Sequence, residues 1–305
     1  MANLSTKICG IKLSNPTILA SGILGVTKSS LKNVVSNGAG AVIIKSISKE
    51  PRKGHNNPIL ITYEGGMINA VGYSNPGLEE AKNEFTDLAE VGAPVIASII
   101  GTNAEDFAYM AKNFLTKEFA AVEAPLSCPH TPGFGTLAGQ GTPEATFAIT
   151  KAIKQNTNLP LIIKLSPNIP NLVEIAKAAQ AAGADALNMG NTHGPGMVID
   201  IETKQPTMDF KVGGLSGPAI RPVAVRCVYD IYPNVKIPII GCGGITTWRD
   251  GIEMLMAGAS ALNIGSAVYY EGIDVFKKIC QGISDFMDQH GYKTIQEMVG
   301  LAHKN

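Results

Sequence analysis

The stretch Phe119–Glu144, FAAVEAPLSCPHTPGFGTLAGQGTPE, carries the reading of the fold. An apolar run, FAAVEAPL, stops at Ser127-Cys128-Pro129-His130. A loop with Gly133, Gly135, Gly139 and Gly141 follows, and Thr142-Pro143-Glu144 looks like a helix start. A short buried strand thus delivers a thiol to its carboxyl end, beneath a segment loose enough to open and close. In parallel α/β folds, chemistry collects at that edge of the sheet. Cys128 is therefore the candidate reactive residue, and the rest of the chain is read as its housing.

Working outward, apolar runs of strand length recur at Thr17–Ala20, Ala41–Ser46, Pro94–Ile100, Phe119–Leu126, Leu161–Leu165, Ala184–Met189, Ile237–Gly241 and Ala259–Ile264. Continuous runs without polar alternation mark strands buried on both faces of a parallel sheet. Helical patterns intervene at Ser29–Ser36, Leu78–Glu90, Ala104–Leu115, Pro143–Gln155, Asn171–Ala182, Pro218–Tyr232, Thr247–Met256 and Ile273–His290. Eight strand–helix units predict an α/β fold of the (β/α)8 TIM-barrel type rather than an open doubly wound sheet. The connections Ile47–Gly77 and Asn191–Gly217 are too long for plain linkers and predict lids or a small sheet over the C-terminal face. No repeat, low-complexity tract or second domain is visible, so residues 1–305 read as one barrel domain.

Composition narrows the function. The 25 basic and 25 acidic residues cancel and neither sign clusters, which argues against a nucleic-acid surface or a polybasic membrane anchor. The five cysteines are scattered with no C-x-x-C pair, so neither a zinc knuckle nor a cysteine-ligated iron–sulfur cluster is supported, and no metal site is expected. With no signal-like start and no run of about 18 apolar residues, a reduced, soluble, cytoplasmic enzyme is the expectation.

Strand ends display a barrel's working groups. A Gly-rich turn, Gly241-Cys242-Gly243-Gly244, follows the seventh run, and Gly265-Ser266 follows the eighth. On adjacent strands seven and eight, such turns form the usual barrel phosphate site. Lys45 and Lys164 end apolar runs and point to the barrel mouth, where a buried ammonium calls for an anion or an electron-rich ring. A reduced flavin, negative at N1, fits this set. Cys9, Cys227 and Cys280 read as small buried hydrophobes, and Cys242 as lining of its turn. Cys128 differs by its strand-end position, and His130 reads as a loop or substrate contact rather than the base. Two other readings remain: a flavin-free lyase or aldolase using Lys45 or Lys164 as a Schiff base, and a non-catalytic binding barrel.

Nine segments together resemble the class 1 dihydroorotate dehydrogenases, most of all the NAD-linked subtype and its archaeal members. They are NPTILASG (15–22), IIKS (43–46), INAVGYSNPG (68–77), LSCP (126–129), IKLSPN (163–168), GLSGPAIRPVAVR (214–226), IIGCGGI (239–245), ALNIGSA (261–267) and YYEGIDVFKKI (269–279). The resemblance implies an FMN-dependent (β/α)8 enzyme of pyrimidine synthesis oxidising dihydroorotate. It implies Cys128 as the general base and hydride transfer to flavin N5. Lys45 would hold flavin and substrate, and Lys164 would sit near flavin N1. Asn69, Asn191 and Thr192 would bind the pyrimidine, with Val71, Gly72, Tyr73 and His130 beside them. Ala20, Ser21, Gly22, Ser46, Gly190, Gly217, Cys242, Gly243, Gly244, Gly265 and Ser266 would complete the flavin site. The resemblance further implies a homodimer core and, if NAD is the acceptor, a separate iron–sulfur/FAD electron-transfer subunit.

Two positions depart from the family pattern L-N-x-S-C-P-N. Pro125 stands for the first asparagine and His130 for the second; His130, followed by the Gly-rich loop and GQGTPE, looks like the archaeal enzymes and like the pyrimidine-reducing domain of dihydropyrimidine dehydrogenases. Pro125 offers neither an amide side chain nor a backbone donor. One lost buried hydrogen bond is worth about 1–3 kcal/mol of selectivity, which opens the site to another dihydropyrimidine or a related cyclic compound.

Overall fold

The computed structural model describes residues 2–128, 133 and 139–304. Among them, eight parallel strands close a barrel: β1 (Thr17–Leu19), β2 (Ala41–Ile43), β3 (Val95–Ser98), β4 (Ala121–Pro125), β5 (Leu161–Leu165), β6 (Ala186–Met189), β7 (Ile239–Cys242) and β8 (Ala261–Ile264). Each pairs with the next in chain order, and β8 closes on β1. The expected strand–helix alternation holds. In the helix α5 (Leu172–Ala181), the apolar face Leu172, Val173, Ile175, Ala176 and Ala179 read from the sequence is buried except for Val173, which is half-buried, and Glu174 and Lys177 face solvent.

Side chains of a strand alternate between its faces, so the barrel interior is built in layers two residues apart. The lowest layer is apolar and includes Ile18, Ile43, Ile96, Ala121, Ile162, Ala186, Ile240 and Ala261. An antiparallel hairpin, Thr6–Ile8 with Ile11–Leu13, packs Ile8 and Leu13 against it and seals the floor. Two residues further along the strands stand Ala20, Lys45, Ser98, Glu123, Lys164, Asn188, Cys242 and Asn263, a mostly polar layer. Two further come Gly22, Pro125, Gly190, Gly244 and Gly265, which line an open cavity. Apolar floor, polar layer and small-residue rim thus follow from one period.

Three expectations need correction. The runs are not uniformly apolar: Glu123, Asn188 and Asn263 lie inside them and are fully or almost fully buried. The helix read over Leu78–Glu90 stops at Glu84, and a separate 3-10 turn spans Leu88–Val91 after Asp87 takes a left-handed φ of 52°. Ahead of α9 (Val275–His290), a five-residue helix, α8 (Ala267–Glu271), follows β8 directly. The two long connections, in contrast, do carry a small sheet, and they share it. Its strand order is His193–Gly196, Gly213–Ser216, Gly66–Asn69, Leu60–Tyr63, so the two insertions form one wall over the barrel mouth.

Candidate functional site

The cavity at the carboxyl ends of the strands has a volume of about 290 Å3, close to the ~300 Å3 at which ligand clefts begin. Every described residue singled out from the sequence lines it, except Gly217: Ala20, Ser21, Gly22, Lys45, Ser46, Asn69, Val71, Gly72, Tyr73, Cys128, Lys164, Gly190, Asn191, Thr192, Cys242, Gly243, Gly244, Gly265 and Ser266. At that position the neighbour of Gly217, Ser216, is the lining residue. His130 and most of the Gly-rich loop after Cys128 lie outside the described residues.

Cys128 is buried at the end of β4, between the polar layer and the insertion wall. Tyr73 meets it from that wall. Burial pushes the Tyr73 phenol well above its ordinary value, and the nearby Cys128 pushes it further. Asn75 holds this part of the wall in place. Its Oδ1 accepts from the Ser48 and Gly77 amides, and its Nδ2 donates to Ser48 Oγ and the Tyr73 carbonyl, both at 2.8 Å. Asn191 is likewise fixed, donating to Ser127 Oγ at 2.8 Å and accepting from the Thr192 amide at 2.7 Å. It thereby ties the second insertion to the Cys128 strand end.

Two lysines face this space. Burial pushes Lys45 down to about 8; the charge of Lys164 adds to the effect and Cys128 opposes it. Lys164, 5% exposed, donates to Ser21 Oγ at 3.2 Å and lies 3.9 Å from Glu123. The remaining thiols are poor candidates for thiolate chemistry. Burial pushes Cys9 up to about 12 and Cys280 up to about 11, and it also raises Cys227 and Cys242.

Opposite Cys128, the turn after β7 takes a conformation that demands glycine. Gly243 and Gly244 have φ of 127° and 71°, and a Cβ at Gly244 would meet the Arg221 backbone at 2.8 Å. The next helix, α7 (Trp248–Met256), is held by a capping box between Thr247 and Asp250. The Asp250 carboxylate also takes the Thr246 amide and pairs with Arg221. Burial alone would raise Asp250, but the Thr246 and Thr247 donors hold it below its ordinary value.

The residues present suit a phosphorylated heterocycle. The turns after β7 and β8 bring backbone amides to one corner, as a phosphate requires. In the cavity lining, both amide atoms of Asn263 and Thr192 Oγ1 are buried without a hydrogen-bond partner among the described residues. Buried polar atoms are rarely left unmet, and a ring edge carrying donors and acceptors would satisfy them. Sequence reasoning missed Asn263, Asn188 and Glu123, because each sits inside a run scored as apolar. The period-two offset from the apolar layer is the signal that finds them.

Comparison with known proteins gives this geometry a lineage. The dihydroorotate dehydrogenase family model matches residues 3–287. The chain is 48% identical over 302 residues to the catalytic subunit of dihydroorotate dehydrogenase B (NAD(+)) from Methanothermobacter thermautotrophicus, covering 98% of each chain. It is 46% identical over 301 residues to the protein of the same name from Pyrococcus horikoshii, covering 99% of this chain and 98% of the relative. Among solved structures, DHODH from Eimeria tenella in complex with ferulenol superposes with a TM-score of 0.83 at 23% identity, covering 99% of this chain and 89% of the other; this shows the shared fold. On the full-length match of sequence and barrel, the chain belongs to the dihydroorotate dehydrogenase family.

Proposed function

We propose that this chain, as one domain spanning residues 1–305, is the catalytic subunit of a dihydroorotate dehydrogenase that oxidises (S)-dihydroorotate to orotate in pyrimidine biosynthesis. FMN is its cofactor. The observation that carries this reading is a buried thiol, Cys128, sharing one cavity with Lys45, Lys164, Asn69 and Asn191. When bound, FMN supplies the acceptor for the hydride leaving C6 of the substrate. Cys128 removes the C5 proton as general base, with the Tyr73 phenol beside it. Lys45 presents a cation to the substrate carboxylate, and Asn69, Asn191 and Thr192 orient the pyrimidine ring. Lys164 and Ser21 serve the ring of the cofactor, with Ala20, Gly22, Ser46 and Gly190 around it. Cys242, Gly243, Gly244, Gly265, Ser266 and Gly217 serve its chain and phosphate.

The relatives' names describe a catalytic subunit and NAD(+), so electrons are proposed to leave through a separate iron–sulfur/FAD subunit docked on a homodimer of this chain in the cytoplasm. Pro125 lines the cavity where the family carries an asparagine, and this favours a second reading with another dihydropyrimidine as substrate. One experiment separates the two. The purified protein should be yellow, and anaerobic dihydroorotate should bleach it. Bleaching by dihydrouracil but not by dihydroorotate would move the assignment to the second reading, and a protein that takes up no FMN would sink both.

A further inference from the structure

Beneath the cavity lies a buried carboxylate that the mechanism above leaves unused. Glu123 stands in the middle of β4 with 0% exposure. A carboxylate in a strand interior is costly unless it is paired and hydrogen-bonded. Here it is both. Oε1 accepts from Ser21 Oγ and Oε2 accepts from Asn188 Nδ2, each at 2.6 Å. Both oxygens accept, the pattern of an ionised carboxylate. Lys164 Nζ donates to the same Ser21 hydroxyl, at 3.2 Å, and lies 3.9 Å from Oε1. The single hydroxyl hydrogen of Ser21 goes to Glu123, so its lone pair is turned to Lys164. The three side chains come from β4, β5 and the end of β1, and they form one chain across the cavity floor.

We propose that Glu123 is a positioning residue for the cofactor. Through Ser21 it holds the Lys164 ammonium at the cavity floor and cancels one of the two lysine charges facing the ligand. This inference rests on the flavin reading of the site. The charge count sets its direction. With Glu123, the floor carries Lys45, Lys164 and one carboxylate, a net charge of about +1; without it, about +2. A ring that gains negative charge on reduction is held more tightly by each added positive charge. Glu123 therefore weakens the preference for reduced over oxidised cofactor and keeps reoxidation favourable, by about tenfold or more at an effective dielectric near 20.

The test compares FMN-loaded wild type with Glu123→Gln, which keeps the shape and removes the charge, and with Glu123→Asp, which keeps the charge. Dye-equilibrated reduction gives the midpoint potential, and hence the ratio of affinities for reduced and oxidised FMN. The expected result is a shift of about tenfold or more toward the reduced form in E123Q and less than about threefold in E123D. An unchanged ratio in folded, yellow E123Q overturns the proposal. If E123Q does not fold, E123Q/K164Q, neutral at both positions, should fold; if it also fails, Glu123 acts by packing and the proposal falls. If wild type takes up no FMN, the flavin reading fails, and the inference is judged on cofactor-free protein. There the Lys45 titration, followed by NMR of isotopically methylated lysines, should move below its wild-type midpoint in E123Q, and an unmoved midpoint overturns it.

Discussion

Cys128 and Lys45 each make a claim that one substitution can check. Replacing Cys128 with serine keeps the volume and raises the intrinsic pKa of the base far above that of a thiol. Anaerobic stopped-flow reduction by dihydroorotate at pH 7 should slow by about 10²–10⁴-fold, the usual contribution of a general base; an undiminished rate would remove Cys128 from that role. Lys45 sets a pH dependence whose sign follows from its burial. Its value in the folded chain, about 8, lies below the ordinary 10.5. Charging it therefore opposes folding, fully below pH 8 and progressively less up to 10.5. An anion bound beside it needs the charged form. The affinity for orotate, measured calorimetrically, should hold up to about pH 8 and then fall by up to tenfold per pH unit. Lys45→Met should bind weakly throughout and lose this pH dependence. A wild-type profile flat to pH 9.5 would show that Lys45 does not face the carboxylate.

At the scale of elements, the site depends on two polar staples rather than on helix or strand propensity. Asn75 satisfies two amides, a hydroxyl and a carbonyl in the first insertion. Asn75→Ala leaves several of these groups buried and unmet, at a cost of about 1–3 kcal/mol. The urea midpoint should drop, and KM for dihydroorotate should rise as the Tyr73 segment loosens. A lowered midpoint with unchanged KM would separate the wall from substrate binding. Asp250 does the corresponding work for the turn after β7, joining the Thr246 and Thr247 amides to Arg221. Asp250→Ala should weaken FMN retention in dialysis more than it weakens substrate binding. Equal retention would show that the capped helix does not set the phosphate corner.

For the molecule as a whole, stability and chemistry reside in different layers of one barrel. Leu13 of the floor hairpin packs among barrel residues on the side away from the cavity. Leu13→Ala should cost about 2–4 kcal/mol in denaturant unfolding while leaving kcat/KM within about twofold. A large loss of kcat/KM at unchanged stability would contradict this separation.

The alternation of buried runs and amphipathic helices was legible from the chain alone, because a strand buried on both faces and a helix with one apolar stripe each leave a local pattern. So was most of the cavity wall, since Lys45, Lys164, Cys128 and the glycine turns all stand at strand ends. The floor hairpin, the sheet shared by the two insertions and the Glu123–Ser21–Lys164 chain were not legible. The last two join residues far apart in sequence whose local patterns carry no mark of the partner: Ser21 and Glu123 are 102 positions apart, and Ser21 and Lys164 are 143; the hairpin is local, but its packing against the barrel floor is not. The amino-acid sequence by itself determined the barrel and which residues reach its mouth, because burial periodicity is a local property. Only the tertiary structure decided which charges meet beneath the cavity, because pairing inside a closed barrel depends on the register of strands brought together from across the chain.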